Sequence, residues 1–342
     1  NLRAQVKRIK AKIAADRKAG FEIELFLVFT GHGNVDSAGE GYLSLADGKL
    51  RRSDLYRDVI RPLNADFTHV IIDACHAYFM VRARGGEWKD DRSGESLDME
   101  LESYLKGQAS SDGRMNNIGV ILSTAGAAEV HEWSRYRAGV FSHQLRSGLL
   151  GAADANADGN ITYQEIEAYL AAANAAVQNP KAKIHVHAAA PKQDLQRPLT
   201  RMGDFKNVTQ LTIDGGDRLY VEDSRGLRYA DMHLGMGTQA KIALLQGPAS
   251  GYYLRTDKEQ ASVPLDQGAI AMTDLQFAEQ SDQSRGAVEE AFRADLFATP
   301  FGPSFVAGYS AGRDLADQRV SNEFEANRQS PWDNELSLDY TI

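Results

Sequence analysis

The sequence predicts an α/β fold in which a mainly parallel sheet, flanked by helices, is followed by a smaller β-rich region. Two nearly continuous apolar runs, residues 23–29 and 69–72, are typical of strands that are covered on both faces. Apolar positions at helical spacing lie between them, which predicts a strand–helix–strand unit. From residue 210 onward the pattern changes to short strand-like runs separated by glycine-containing turns.

The chain begins with an amphipathic basic helix over residues 2–13. Val6, Ile9 and Ile13 share one face at helical spacing, while lysines and arginines occupy many of the other positions.

The strand–helix–strand unit comes next. Residues 50–60 form its predicted helix, which begins behind Ser53 as a cap. The apolar character of residues 23–29 and 69–72 predicts that both strands are central in the sheet. Because parallel strands end at the same edge, the residues that follow them are expected to meet there.

Two reactive side chains follow these strands. His32 comes after the first strand, and Cys75, the only cysteine of the chain, comes after the second. A base and a nucleophile from neighbouring strands are the arrangement that thiol catalysis requires. The alternative is structural: a lone buried cysteine is commonly a small apolar residue, and a lone histidine is commonly a hydrogen-bonded polar group.

These motifs resemble those of the caspase-like cysteine proteases, in which a His-Gly pair and a Cys end two neighbouring parallel strands. The local sequence Asp73-Ala-Cys75-His76 is similar to the Asp-x-Cys-His-Ser pattern of metacaspases and bacterial orthocaspases, and Ala77 departs from it. The resemblance covers roughly residues 1–200. It implies that Cys75 is the nucleophile, that His32 is its acid–base partner, and that the N–H groups of Gly33 and Cys75 stabilise the oxyanion.

The resemblance also implies a preference for substrates. In metacaspase-like proteases the aspartate two residues before the nucleophile lies in the S1 pocket and selects Arg or Lys, which assigns Asp73 to substrate binding. Alternation along a strand places Asp73 and Cys75 on one face. The alternative is that Asp73 caps the following turn or helix. After a predicted strand at residues 118–124, further candidates for lining the cleft are Glu129, His131 and Glu132.

Activation by cleavage is a further implication. The polar segment after Cys75 contains four basic positions that an Arg/Lys-specific protease could process: Arg82, Arg84, Lys89 and Arg92. A solvated charged loop is the alternative. Relatives also have a strand and a helix ahead of the first residues seen here. This piece was either removed by proteolysis, which makes the cleaved N-terminal fragment a candidate partner, or it lies outside this sequence or on a separate chain. Related prokaryotic enzymes act in regulated cell death and antiviral defence.

A second motif spans residues 154–165 and fits the twelve-residue EF-hand loop. Gly159 stands at the sharp turn, Ile161 at the hydrophobic position and Glu165 at the bidentate position. Predicted helices at 140–150 and 163–177 flank the loop. The expected Ca²⁺ ligands are Asp154, Asn156, Asp158, the carbonyl of Asn160, Thr162 and Glu165. EF-hands usually occur in pairs and only one is visible, so a loop that keeps the turn but binds metal weakly or not at all is the alternative.

Two prolines in residues 188–203 predict a linker between domains. We therefore divide the chain into a caspase-like domain, 1–203, and a β-rich accessory domain, 204–342. Strands of the accessory domain are predicted at 210–213, 218–221, 240–245 and 251–254, and a helix at 287–297. Aromatic residues in 299–309 are expected to pack rather than to bind a ligand.

Composition limits the function classes. The length of 342 residues is sufficient for about two domains, and 43% apolar residues for real cores. A net charge of −9 argues against a nucleic-acid surface, and no apolar run approaches the roughly 20 residues of a membrane span. We expect a soluble protein, in the bacterial cytoplasm or exported, that acts on a protein or peptide. The different-class alternative is a catalytically silent scaffold that binds a partner in a calcium-dependent way.

Overall fold

The computed structural model describes residues 2–74, 77–80, 116–124, 132–133, 138–178, 184–246, 251–279 and 294–313. In chain order the strands are β1 Glu24–Gly31, β2 Gly33–Val35, β3 Gly41–Leu45, β4 Gly48–Arg51, β5 Phe67–Ala74, β6 Ile118–Thr124, β7 Glu132–Trp133, β8 Ala138–Gly139, β9 Asn160–Thr162, β10 His185–Ala189, β11 Pro198–Arg201, β12 Val208–Asp214, β13 Arg218–Asp223, β14 Arg228–His233, β15 Gln239–Leu245, β16 Tyr252–Arg255, β17 Glu259–Val263, β18 Ala269–Ala271 and β19 Ala278–Glu279.

The helices are α1 Leu2–Lys18; α2, which runs through the consecutive segments Arg52–Asp54, Leu55–Ile60 and Arg61–Leu63; α3 Val140–Ser147; α4 Tyr163–Asn174; and α5, residues 303–313. Short helical turns are Ala77–Met80, Gly148–Ala152, Met202–Asp204 and Met272–Asp274. The chain is thus a mixed α/β protein with several sheets, as the sequence predicts at this level.

The main sheet has the strand order β1-β5-β6-β10. Strands β1, β5 and β6 are parallel, and β10 runs antiparallel to β6. Every residue of β5 is buried, which confirms the prediction of a central strand from its apolar run. Within the described residues β1 pairs only with β5 and Val28 is 67% exposed, which differs from the prediction that β1 is also central. An apolar run reports what a strand can bury, not how many neighbours it has.

The connection from β1 to β5 contains more than the predicted helix. Strands β2, β3 and β4 form a small antiparallel sheet ahead of α2. The hairpin between β3 and β4 turns at Ala46 and Asp47, a turn signal that the sequence reading did not use. The predicted Ser53 cap is also wrong: Arg51 occupies the N-cap position, and its N–H donates to the Asp54 carboxylate at 3.3 Å.

Two hydrophobic clusters cover the two faces of the main sheet. One face, with Val70 and Ile72 of β5, packs against α1 and α2. The opposite face, with Ile71 of β5 and Ile121 of β6, packs against α3 and α4. Alternation along β5 therefore assigns His69, Ile71 and Asp73 to the α3/α4 face.

The residues after 204 build two further sheets, with the orders β15-β12-β18 and β14-β13-β16-β17-β19. The four predicted strands of this region are present, and β14, β17, β18 and β19 are additional. The cluster on the α3/α4 face continues without interruption into these sheets through Leu211, Ile213 and Val221.

The predicted linker at 188–203 combines turns at residues 190–197 with regular structure on both sides. It contains the end of β10 and all of β11, whose partner is β9. Pro198 is the first residue of β11, a position where proline does not interrupt a strand. The division of the chain into two domains within this segment stays a prediction.

The C-terminal part returns to the core. Residues 287–293 of the predicted tail helix lie outside the described residues. Phe301 is buried and its ring contacts Tyr169 edge-to-face at 5.3 Å, which agrees with a packing role for the tail aromatics. Among the described helices none is long and apolar enough to cross a membrane.

Candidate active site and calcium loop

The predicted catalytic residues follow two paired strand ends. In the parallel pair of β1 and β5, Gly31 is aligned with Ala74, the last residue of β5. The next residues are His32 and Cys75, so the register brings both chain segments to the same edge at the same level. Cys75 itself lies outside the described residues. The structure therefore places His32 and the strand that leads to Cys75, but not the thiol.

The backbone around His32 is held on both sides. The His32 side chain is exposed at the sheet edge, and its carbonyl accepts the N–H of Ser44 at 2.8 Å. Gly33 is aligned with Leu43 in the β2–β3 pair. Gly31 has φ +151, and a Cβ there would lie 3.1 Å from the Phe29 ring, so this position favours glycine. The oxyanion role of Gly33 stays a prediction.

A polar row crosses the α3/α4 face of the sheet at this edge. Thr30, Asp73 and Ser123 are aligned with one another on β1, β5 and β6. The preceding row on the same face is apolar and contains Val28, Ile71 and Ile121. The change from apolar to polar marks the boundary between the core and the edge where His32 stands.

Asp73 is held by a distant helix. Its side chain is only 2% exposed, and its Oδ2 accepts a hydrogen bond from the hydroxyl of Ser142 on α3. This partner is 69 positions away in the chain, so the described contact differs from the cap of the next turn that the sequence left open. The sequence reading missed Ser142, and no local signal pointed to it, because only the packing of α3 on the sheet brings it to Asp73.

Several predicted site residues cannot be placed. Glu129, His131 and the processing candidates Arg82, Arg84, Lys89 and Arg92 lie outside the described residues. For Glu132 the backbone is placed in β7, aligned with Gly139 of β8. Their predicted roles stay predictions.

The loop at 154–165 folds around the carboxylate of Asp154. Its two oxygens accept the N–H groups of Asp158 at 3.1 Å and Gly159 at 3.0 Å. Gly159 has φ +79, which allows the sharp turn, and Ala157 has φ +58. The other predicted ligands also bond within the loop: Asn156 Oδ1 accepts the N–H of Asp158 at 3.0 Å.

The exit of the loop is a helix cap. Thr162 is the N-cap of α4, its hydroxyl accepts the N–H of Glu165, and the Glu165 carboxylate accepts the N–H of Thr162. Strand β9, which includes Asn160 and Thr162, pairs with β11. Strand β11 thus supplies a backbone partner for this segment, although the sequence shows no second EF-hand.

Two carboxylates of the loop are buried. The pKa of Asp154 is raised by burial and by the nearby charge of Asp158, and the pKa of Glu165 is raised by burial and by Asp154. A divalent cation would offset both effects. In the part of the chain that the structure describes, however, no three His, Cys, Asp or Glu side chains converge as a metal-binding group. The carboxylates instead accept backbone N–H groups of the loop.

On the same face of β5, behind the apolar row, lies a buried histidine that the sequence analysis did not single out, His69. His69 Nδ1 is 2.6 Å from the hydroxyl of Tyr163, and the imidazole stacks on Phe26 with ring centroids 4.4 Å apart. Burial lowers the pKa of His69 to about 4. The imidazole is therefore neutral at physiological pH and belongs to the core rather than to the edge.

Comparison with known proteins identifies no family. No protein-family model matches the chain, and no curated protein matches it significantly. A solved structure described as "Structure of Protease" aligns with a TM-score of 0.24 and 9% identity, over 75% of this chain and 54% of that one. This chain therefore spans about half the length of that structure. At this TM-score the similarity carries no argument about fold or activity.

Proposed function

We propose that the chain is a cysteine endopeptidase of the caspase-like type that cleaves proteins after Arg or Lys. One observation carries the proposal: the alignment of Gly31 with Ala74 in a parallel strand pair, which makes His32 and Cys75 the next residues at one sheet edge. Ligands and reacting groups gather at the carboxyl edge of such sheets. The motifs around the two residues support the same assignment.

The proposed chemistry needs only these two side chains and backbone donors. His32 takes the proton of the Cys75 thiol, and the sulfur attacks the carbonyl carbon of the scissile peptide. The C–N bond then breaks while His32 returns the proton to the leaving amine, and water hydrolyses the thioester. The N–H groups of Gly33 and Cys75 are the proposed donors to the oxyanion.

The preference for a basic P1 residue is proposed from Asp73. A carboxylate that is almost fully buried, one alternation step before Cys75, would form a strong charge-assisted pair with a guanidinium or an ammonium. The hydrogen bond from Ser142 restrains this carboxylate. Cleavage at the basic positions between 82 and 92 would follow from the same specificity, and we propose that it activates a zymogen.

A structural Ca²⁺ in the loop at 154–165 is part of the proposal. Supporting it are the wrapping of the loop around Asp154 and the burial of Asp154 and Glu165, two anions whose repulsion a cation would relieve. The ion would bind oxygen ligands of the loop between α3 and α4 and so stabilise the fold. It would take no part in the catalytic step.

The decisive experiment combines turnover with labelling. Fluorogenic peptides that end in Arg, Lys or Asp are incubated with the protein, with and without Ca²⁺, beside the variant C75A. We expect turnover of the Arg and Lys peptides and none by C75A. Because Cys75 is the only cysteine, a peptide chloromethyl ketone ending in Arg should add one equivalent to wild type and none to C75A. Equal turnover by both proteins, or labelling without turnover of any peptide, would contradict the proposal.

A further inference from the structure

Helix α3 connects the proposed specificity carboxylate to the C-terminal sheet β14-β13-β16-β17-β19. The hydroxyl of Ser142 donates a hydrogen bond to Asp73 Oδ2 on β5 of the main sheet. The next residue of the helix, His143, has its Nε2 2.8 Å from Asp231 Oδ2 on β14. Two consecutive residues of one short helix therefore bind two different sheets.

The contact of α3 with β14 is made by one face of the helix. His143, Arg146 and Ser147 have the three- and four-residue spacing of neighbours on a helix surface. Arg146 Nη2 donates to the carbonyl of Arg228 at 2.7 Å. The N–H of Asp231 donates to Ser147 Oγ at 3.1 Å. Strand β14 thus fixes the C-terminal half of α3 through backbone groups as well as side chains.

The neighbours of His143 determine which of its nitrogens carries the proton. Arg146 Nη2 is 2.9 Å from His143 Nδ1. Because a guanidinium can only donate, Nδ1 accepts, and the proton of the neutral imidazole is on Nε2. Nε2 therefore donates to Asp231, whose other oxygen accepts from Arg228 at 2.5 Å. Burial lowers the pKa of His143, which agrees with the neutral form. These directed hydrogen bonds hold the imidazole, and with it α3, in one position on β14.

We infer that α3 is the positioning element of the proposed S1 site, and that the C-terminal sheet influences substrate specificity through it. Ser142 orients the Asp73 carboxylate, and Asp231 holds the helix through His143. The inference rests on the proposed preference for a basic P1 residue. A charge-assisted pair with a guanidinium depends on the direction of the carboxylate as well as on its charge. Asp73 keeps one direction only while the helix that binds its Oδ2 is itself fixed.

The test compares two fluorogenic peptides that differ only at P1, where one has Arg and the other has citrulline, the uncharged isostere of Arg. The full chain should cleave the Arg peptide with the higher kcat/KM. Ser142→Ala should lower the Arg/citrulline ratio of kcat/KM at least about fivefold, because the carboxylate loses its orientation. Ser142→Thr, which keeps a hydroxyl, should have a ratio within about twofold of wild type. A merely structural role of Ser142 would lower both rates together and leave the ratio unchanged.

A second pair of variants tests the link to the C-terminal sheet. His143→Leu should lower the same ratio at least about threefold, because α3 is no longer bound to Asp231. Arg146→Met, at a half-buried position, should act in the same direction and replaces His143→Leu if that variant does not fold.

Asp223→Asn is the matched control. Asp223 is a buried aspartate of β13 that pairs with Arg225 at 2.6 Å, and its replacement should lower the Tm without changing the ratio. If Ser142→Ala and the folded α3 variants keep the wild-type ratio, the inference is overturned and the protease proposal stands. A wild type that cleaves neither peptide, or that does not prefer Arg, would overturn the proposed function and this inference with it.

Discussion

Thr30, Asp73 and Ser123 stand side by side where the core of the main sheet ends. His32 follows Thr30 by two residues in the chain, and Cys75 follows Asp73 by two residues. At the scale of the residue, the proposed chemistry therefore depends on a few side chains held by strand register, and their individual replacement is informative.

The first prediction concerns the proposed nucleophile and base. Cys75→Ala should abolish peptide cleavage, because the thiolate alone attacks the carbonyl. His32→Ala should lower kcat by at least about 100-fold, the order of a lost general base. Initial rates with an Arg-ended fluorogenic peptide measure both effects. A His32→Ala enzyme that keeps its rate would remove His32 from the mechanism.

The second prediction concerns specificity. Asp73→Asn should reduce kcat/KM for Arg-ended peptides by at least about tenfold, because a buried charge-assisted pair is lost. Asp66→Asn is the matched control, since Asp66 lies just before the other end of β5 and is partly exposed. It should change stability at most. A wild-type preference for Asp-ended peptides would exclude this role of Asp73.

At the scale of the element, the helical turn Gly148–Ala152 is fitted closely to β15. Gly151 has φ +122, and a Cβ there would lie 1.9 Å from the carbonyl oxygen of Lys241. Gly151→Ala should therefore lower the free energy of unfolding by about 3 kcal/mol or more, through backbone strain and overpacking. Urea unfolding measures the loss.

Gly203→Ala is the control for that prediction, because Gly203 has no neighbour within 4 Å of an added Cβ and no left-handed φ. It should change stability by less than about 1 kcal/mol. Similar losses for the two variants would mean that the turn does not contact β15 as described.

The calcium loop is a second element whose role can be measured directly. Ca²⁺ at millimolar concentration should raise the Tm of wild type, because binding by the folded state alone adds RT ln(1 + [Ca²⁺]/Kd). Glu165→Gln should erase this rise. Glu167→Gln, two positions further along α4 and paired with Arg313 rather than placed in the loop, should keep it. Substrate preference should not change with Ca²⁺. If Ca²⁺ does not change the Tm of wild type, the loop retains only the turn geometry and does not bind the ion.

At the scale of the whole molecule, a buried polar network joins α3 to β14. His143 Nε2 is 2.8 Å from Asp231, whose other oxygen accepts a hydrogen bond from Arg228 at 2.5 Å. All three side chains are buried within the cluster that continues from the main sheet into the C-terminal sheets. Two further histidines of the core, His69 and His187, are buried in the neutral form. Their burial makes the stability of the protein depend on pH.

The last prediction follows from His69 and His187. Burial lowers their pKa values to about 4 and about 3. Below pH 6.5 these two histidines bind protons in the unfolded chain but remain neutral in the folded chain. The stability present above pH 6.5 is therefore lost as the pH falls toward 4. Between pH 7.5 and 5.5 these two residues should lower the free energy of unfolding by roughly 3 kcal/mol.

Urea unfolding across this pH range tests the effect. The variant His69→Phe, which keeps an aromatic ring beside Phe26, should reduce the acid-induced loss of stability by about 1.4 kcal/mol. His32→Phe, at an exposed position, should show all of it. A pH-independent stability would mean that neither imidazole is buried in the neutral form.

Local sequence pattern was sufficient to predict several strands, helices and loops of this protein. The apolar run of β5, the helical spacing in α2 and α4, and the twelve-residue loop after α3 each depend on neighbours within one element, so period and turn chemistry specify them. The order of His32 and Cys75 after two strands was likewise readable, because chain order and parallel pairing together fix the shared edge.

Other features depend on which elements meet, and the sequence cannot state that. Only tertiary packing leaves Val28 of β1 exposed in the described sheet, brings Ser142 to Asp73 across 69 positions, and pairs β9 with β11. The physical reason is that an apolar or polar side chain specifies what it can bury or bond, whereas its partner is selected by the folding of distant segments onto one another. The exposure of Val28 and the restraint on Asp73 are therefore properties of the assembled sheet, not of the strands that compose it.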